Sequence, residues 1–160
     1  MQKTAAVITV SDRSYRGERQ DLSGPAVVLA LQGEGFEVLG AEIVPDEQEP
    51  ISEALKRFVG RAALIVTTGG TGVAPRDVTP EATIAVCERL IPGIPEVMRA
   101  EGRTKNAMAP LSRGVCGTRA STLFLNLPGS PKGAVQSLGA VLPLVLHALQ
   151  LLAGDTEHPA

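Results

Sequence analysis

The stretch Leu64–Ala82, L-I-V-T-T-G-G-T-G-V-A-P-R-D-V-T-P-E-A, leaves the chain little choice of local structure. The apolar run from Ala62 to Val66 reads as a buried strand and empties into Thr67-Thr68-Gly69-Gly70-Thr71-Gly72. A polar loop with Arg76 and Asp77 follows, and Thr79-Pro80 then opens a helical pattern. Strand, Gly/Thr loop and helix N-terminus in that order put unpaired backbone N–H groups where an anion can sit. The same glycines also serve a tight turn, and the spacing alone permits either reading. The loop is neither a G-x-x-x-x-G-K-[S/T] phosphate loop nor a G-x-G-x-x-G dinucleotide fingerprint.

The rest of the chain alternates strand and helix around that unit. Ala5–Val10 is a short apolar strand, followed by the polar segment Ser11–Asp21. Ser23 is placed to cap a helix running to about Gln32, and Phe36–Val44 reads as the next strand. An acidic loop, Pro45–Pro50, leads to a helix with Pro50 as its first residue and Gly60 as its stop. Thr79 is expected to cap a helix with Pro80 at its first position and Glu81 favourably placed in the helix dipole. Ala82, Ile84, Ala85, Val86 and Leu90 would face inward. Pro95 begins a shorter helix to about Arg103, and Ser112–Thr118 holds either an edge strand or a turn. Thr122–Leu127 is a strong strand, and Ser130-Pro131 repeats the cap-plus-proline signal before the last helix, Lys132–Leu152. That helix is apolar almost all round, which calls for burial on more than one side, by the sheet alone or with a partner subunit. Pro143 is expected to bend it.

This order predicts an α/β three-layer sandwich with a mostly parallel central sheet and helices on both faces. Residues 1–154 form one domain and residues 155–160 a short polar tail, with no linker or repeat between them. With aromatics at 2%, the core must be aliphatic, and a net charge of -2 offers no basic field to nucleic acid. Cys87 and Cys116 stand alone, which reads as two small buried hydrophobes of a reduced, cytoplasmic protein, with a disulfide as the weaker alternative. Met1–Thr4 runs straight into a strand without a signal-like segment, and the most apolar stretch, Leu138–Leu152, is short for a membrane span.

Parallel strands share one carboxyl edge, and four polar loops should meet there. They carry Asp12 and Asp21, Asp46 and Glu47, Gly69 to Asp77, and Ser130 with Lys132. The edge is rich in backbone donors, threonine hydroxyls and carboxylates and has no histidine, since His147 lies mid-helix and His158 in the tail. Ser-His-Asp and Cys-His catalysis and a zinc site are therefore excluded. Carboxylates beside an anion nest, with only hard oxygen ligands, fit magnesium-bound phosphates. Lys132 is either a phosphate contact or a solvated first-turn lysine. Arg76 is either a phosphate clamp or the salt-bridge partner of Asp77.

T-T-G-G-T-G followed by P-R-D-V-T-P-E-A-T, then L-S-R, then N-L-P-G-S-P-K closely resembles the molybdopterin adenylyltransferase family of molybdenum cofactor biosynthesis. The likeness runs from Val10-Ser11-Asp12-Arg13 to the last helix. It implies transfer of AMP from ATP to the terminal phosphate of molybdopterin, with release of pyrophosphate. By the same resemblance Asp46 and Asp77 are the catalytic acids and hold Mg2+, Asp46 directly or through a water. Thr68, Gly69, Gly70, Thr71, Gly72, Ser112, Pro128, Gly129 and Ser130 would line the substrate pocket, with Lys132 beside them. The family works as a trimer alongside the pathway's other enzymes, so a homotrimer is implied. A molybdopterin-binding scaffold without catalysis, or a molybdate-insertion enzyme of the pathway, is the alternative within the same resemblance.

Overall fold

A computed structural model describes residues 1–156. The predicted tail lies mostly outside these, only Asp155 and Thr156 of it being described. The elements are β1 (Thr4–Val10), α1 (Asp12–Tyr15), α2 (Ser23–Gly33), β2 (Glu37–Val44), α3 (Gln48–Phe58), β3 (Leu64–Thr68) and α4 (Thr79–Val86). After these come β4 (Arg89–Leu90), α5 (Gly93–Arg103), a 3-10 turn (Ala109–Leu111), β5 (Cys116–Arg119), β6 (Thr122–Leu127) and α6 (Pro131–Leu152).

The strands form one sheet in the order β2-β1-β3-β6-β5-β4. β2, β1, β3 and β6 are parallel, whereas β5 and β4 add two short antiparallel strands at one side. Alternation along β1 sorts the core into two layers, as a pleated strand must. Ala5 and Val7 face a cluster with Val27 and Leu31 of α2, Met98 of α5 and Leu138 and Val145 of α6. Ala6, Ile8 and Val10 face Ile51 and Leu55 of α3 and Ala82 and Val86 of α4. The three-layer sandwich predicted from the sequence is the fold, and the ambiguous segment Ser112–Thr118 leads into β5 at Cys116, a strand paired on both sides, by β6 and by the edge strand β4.

Several local expectations need correction. Ser23 does not cap α2; Leu22 holds the cap position, and the Asp21 carboxylate accepts from the Gly24 N–H at 3.0 Å. The helix expected to begin at Pro50 begins two residues earlier, at Gln48, where first-turn residues need no internal amide partner. Thr79 lies inside α4, and its hydroxyl donates to the Gly69 carbonyl at 2.9 Å, away from its own helix end. Ile84 and Ala85 lie on the outer face of α4, whose buried side is Ala82, Thr83 and Val86, and Leu90 is 46% exposed because α4 stops at Val86 and the chain turns extended at Cys87 into β4. The segment Ser11–Asp21 is not all loop, since Ser11 caps the short helix α1 by accepting from the Ser14 N–H.

At 22 residues, α6 is longer than its most apolar stretch alone and, by length and composition only, sufficient to cross a membrane. Its Ala134, Leu138, Val141, Val145 and Leu149 form one buried row in the core, with Pro143 inside the helix. Val135, Leu144 and Leu151 on other faces are partly exposed. Burial within the chain is therefore one-sided.

Candidate functional site

The carboxyl ends of β1, β2, β3 and β6 bring the predicted loops together. The loop after β3 is held from beneath by a buried polar chain. The Asn126 side-chain amide, 1% exposed, donates to the Thr67 and Thr83 hydroxyls at 2.9 and 3.0 Å, and its carbonyl accepts from the Val115 N–H. Thr83 donates in turn to the Thr79 carbonyl and Thr79 to that of Gly69. With every member partnered, such a network fixes geometry without leaving a desolvated group unmatched. The Thr68 hydroxyl donates to the Pro128 carbonyl at 2.6 Å, and the Gly69 N–H to that of Leu127, tying this loop to the one after β6. Among the described residues the backbone amides of Gly70, Thr71 and Gly72 make no hydrogen bond within the chain.

Two carboxylates flank those amides. Asp46 Oδ1 lies 3.2 Å from where a Cβ on Gly70 would stand, and Asp77 Oδ2 lies 2.8 Å from the equivalent point on Gly72. Asp77 Oδ2 also accepts from the Ala74 N–H at 2.9 Å. Asp46 is braced by Asp12 in a reciprocal pair. The Asp12 N–H donates to Asp46 Oδ2 at 2.7 Å, and the Asp46 N–H to Asp12 Oδ1 at 3.0 Å. Arg76 grips Asp12 with two bonds, at 2.6 and 3.0 Å, and reaches Glu47 at 3.7 Å. Its salt-bridge partner is thus Asp12 and not Asp77, a pairing 64 residues apart that local spacing does not announce.

Burial pushes the Asp46 carboxyl above the ordinary 3.8, against the Asp12 N–H that favours its charge, and the neighbouring Asp12 and Asp77 push the same way as burial. The Arg76 guanidinium holds Asp12 below 3.8. A raised carboxylate pKa means that ionised Asp46 costs the folded state stability at neutral pH. Asp46→Asn is therefore expected to raise the denaturation midpoint at neutral pH, keeping an oxygen for the Asp12 N–H. The gain should shrink as pH falls through the raised value and vanish below 3.8, where Asp46 is protonated both folded and unfolded. Chemical denaturation across that range is the check, and a gain independent of pH would remove the electrostatic explanation.

Arg113 has no part in the sequence reading beyond its place in L-S-R. Its Nε donates to the Gly72 carbonyl at 2.7 Å and its Nη2 to that of Asp77 at 2.8 Å, and Nη1 pairs with the Glu81 carboxylate. Its own N–H donates to the Thr71 carbonyl at 2.7 Å. An arginine three residues before β5 gives no local sign that its partners lie about forty residues upstream.

The predicted pocket is two adjoining cavities. Thr71, Gly72, Asp77, Ser112 and Pro128 line one of about 500 Å3, walled also by Met98, Met108 and Leu111. Thr68, Gly69, Gly70, Gly129 and Asp46 line another of about 480 Å3, with Asp12, Asp21, Arg13 and Arg19 around it. Ser130, the cap of α6, borders both. Lys132 is exposed and lines neither. Asp21 is already engaged by the Thr9 hydroxyl and the Gly24 N–H. Burial pushes the Cys87 thiol up to about 11 and Cys116 to about 12, so neither is a nucleophile at neutral pH. Among the described residues no group of three or more His, Cys, Asp or Glu gathers as a metal cluster.

An α/β sheet with an amide-lined Gly loop and paired acids at its carboxyl edge has the geometry to hold a phosphorylated small molecule. Residues 6–147 match the family described as "Probable molybdopterin binding domain", and the chain belongs to it, within the superfamily of molybdenum cofactor biosynthesis. The molybdopterin adenylyltransferase of Helicobacter pylori strain J99 is 40% identical over 153 residues, covering 93% of this chain and 87% of that protein. The molybdenum cofactor synthesis protein cinnamon of Drosophila melanogaster is 41% identical over 159 residues, 96% of this chain. The chain spans only 26% of the Drosophila protein's length. The crystal structure of the molybdopterin biosynthesis enzyme MoaB of Thermus thermophilus superposes with a TM-score of 0.90 at 52% identity, covering 96% of this chain and 98% of that one.

Proposed function

We propose that this protein binds molybdopterin in the cavity beside Asp77 and Ser112 and ATP in the cavity beside Asp46, and transfers AMP to the terminal phosphate of molybdopterin with release of pyrophosphate. The observation that carries the reading is the pair Asp46 and Asp77, one acid on each cavity, flanking the amides of Gly70 to Gly72 between them. Two sites meeting at one anion-binding loop suit the joining of two phosphorylated substrates.

The donor set fits magnesium, which keeps several waters and takes one or two carboxylates plus substrate phosphates, so a pair of acids without a third is sufficient. Asp46 and Asp77 would hold it, and when bound it neutralises charge on the phosphate oxygens. The chain's own groups do the rest. The Gly70 to Gly72 amides and the N-terminus of α6 at Ser130 offset phosphate charge. Met98, Met108 and Leu111 give one side of the molybdopterin cavity an apolar surface, and Arg13 and Arg19 set positive charge over the nucleotide cavity. The attacking phosphate is largely dianionic at neutral pH, its second pKa being about 6, so a site without histidine lacks nothing as a base. The partly exposed apolar residues of α6, Val135, Leu144 and Leu151, support assembly into a trimer.

The comparisons favour the wider reading more than the transferase itself. The relative at 52% identity is a MoaB, whereas the Helicobacter adenylyltransferase stands at 40%. The second reading is accordingly a molybdopterin-binding or molybdate-insertion paralogue. An assay with purified protein, molybdopterin, ATP and magnesium, following adenylylated pterin and pyrophosphate together, separates them. Equal amounts of both products are expected. Tight pterin binding without ATP consumption would establish the second reading.

A further inference from the structure

We infer that Arg113 is the positioning residue of Asp77, setting the loop that carries this acid without touching either substrate. The inference rests on the adenylyl-transfer reading for its kinetic consequence and on geometry alone for its structural one. Arg113 lines neither cavity, although its neighbours Ser112 and Gly114 line one. Instead it spans both limbs of the loop between β3 and α4. The Thr71 and Gly72 carbonyls on the outgoing limb and the Asp77 carbonyl on the returning one are all bound by this single residue.

The loop's own bonds do not make that connection. Asp77 N–H donates to the Ala74 carbonyl at 2.9 Å, Ala74 N–H donates to Asp77 Oδ2, and Thr79 N–H closes on the Gly70 carbonyl. These fix the tip and the base, but leave Gly72 and Asp77 unjoined. Their separation is what matters, because Asp77 Oδ2 lies 2.8 Å from the point where a Gly72 side chain would begin. Moving one limb against the other moves the carboxylate relative to the amides it flanks. A guanidinium suits the task because its donors diverge in one rigid plane. A lysine ammonium is a single point and cannot hold two carbonyls and the Glu81 carboxylate in one geometry. The side chain is 38% exposed and belongs to neither core layer, so its replacement should spare the fold.

The test compares the full chain with Arg113→Lys by amide hydrogen exchange and by steady-state kinetics. Exchange at the Ala74 and Asp77 amides is expected to rise by about tenfold or more, with the β3 amides from Leu64 to Val66 unchanged. The kcat for adenylyl transfer should fall by about thirty- to a hundredfold, with KM for molybdopterin within about twofold, since a small misplacement of a catalytic group carries that cost. Glu81→Gln keeps both carbonyl bonds and should show little of either effect. Unchanged exchange at the two amides, an equal rise through β3, or a Glu81→Gln variant as impaired as Arg113→Lys would overturn the inference. Should the native protein transfer no adenylyl group, that reading fails by itself. The exchange pattern then decides the role of Arg113: a confined rise supports it, and none overturns it.

Discussion

Asp77→Ala should lower adenylyl transfer by about a thousandfold or more while shifting molybdopterin affinity by less than about threefold, as expected of a group whose charge matters chiefly in the transition state. The physical ground is the division of labour in the loop. On the proposed reading, binding contacts would come from several independent sources, namely the loop amides, Ser112 and the apolar side chains of Met98, Met108 and Leu111. Asp77 adds a negative charge beside an anion site, which opposes binding of a phosphate unless a cation lies between them. An acid in that position is best explained by such a cation. Alanine also removes the acceptor for the Ala74 N–H, so Asp77→Asn is the necessary companion: it keeps an oxygen at Oδ2 and loses only the charge. Isothermal titration with molybdopterin and the two-product assay on both variants give the answer. If affinity and turnover fall together in alanine but both survive in asparagine, Asp77 is a loop brace and not a metal ligand.

What could be read from the sequence were features whose signal is local. The strand and helix order follows from periodicity, and parallel strands then force the loops holding Asp12, Asp46, Gly69 to Asp77 and Ser130 onto one edge. The cap at Ser130 was legible because Ser-Pro acts on its own helix, and the serine does accept from the Gly133 N–H at 3.1 Å. The same signal misleads at Thr79 and Ser23. There another partner takes the hydroxyl: the Gly69 carbonyl, ten residues back, accepts from Thr79, and Asp21, only two residues back, accepts from Ser23 at 3.4 Å. Arg76 and Arg113 were illegible in their roles for a related reason. A guanidinium at the end of a long side chain takes whichever acceptors the fold delivers, and these lie on β1–α1 for the first and on the β3–α4 loop for the second. Nor did composition show that the one predicted pocket is two cavities, because the partition depends on where Ser130 and the Gly loop stand between them.

The glycines of T-T-G-G-T-G left open a choice between turn and anion nest, and the structure makes Gly69 a residue required by packing whatever the ligand. Gly69→Ala is expected to destabilise the fold by about 3–4 kcal/mol, the range reached when backbone strain and a steric clash coincide. Its φ is +98°, a conformation side chains rarely adopt, and a methyl group there would stand well inside the 3.0 Å that real Cβ atoms keep, against the Val10 carbonyl oxygen. That oxygen is backbone of the central strand β1, and the Gly69 N–H is bound to Leu127, so neither side can give way cheaply. Gly60 provides the control. Its φ of +73° carries the same handedness with nothing within 4 Å of a Cβ, and Gly60→Ala should cost only about 1 kcal/mol, the conformational part alone. The difference between the two variants in urea denaturation then measures the crowding of the β1 end against the loop. A difference near zero would mean that the loop relaxes away from Val10, and Gly69 would then be free to serve the ligand alone. A difference of about 2 kcal/mol or more, in the range of overpacking costs, would mean that the loop's position over the sheet edge is set before any ligand arrives. The amides of Gly70 to Gly72 would then be a preorganised anion site.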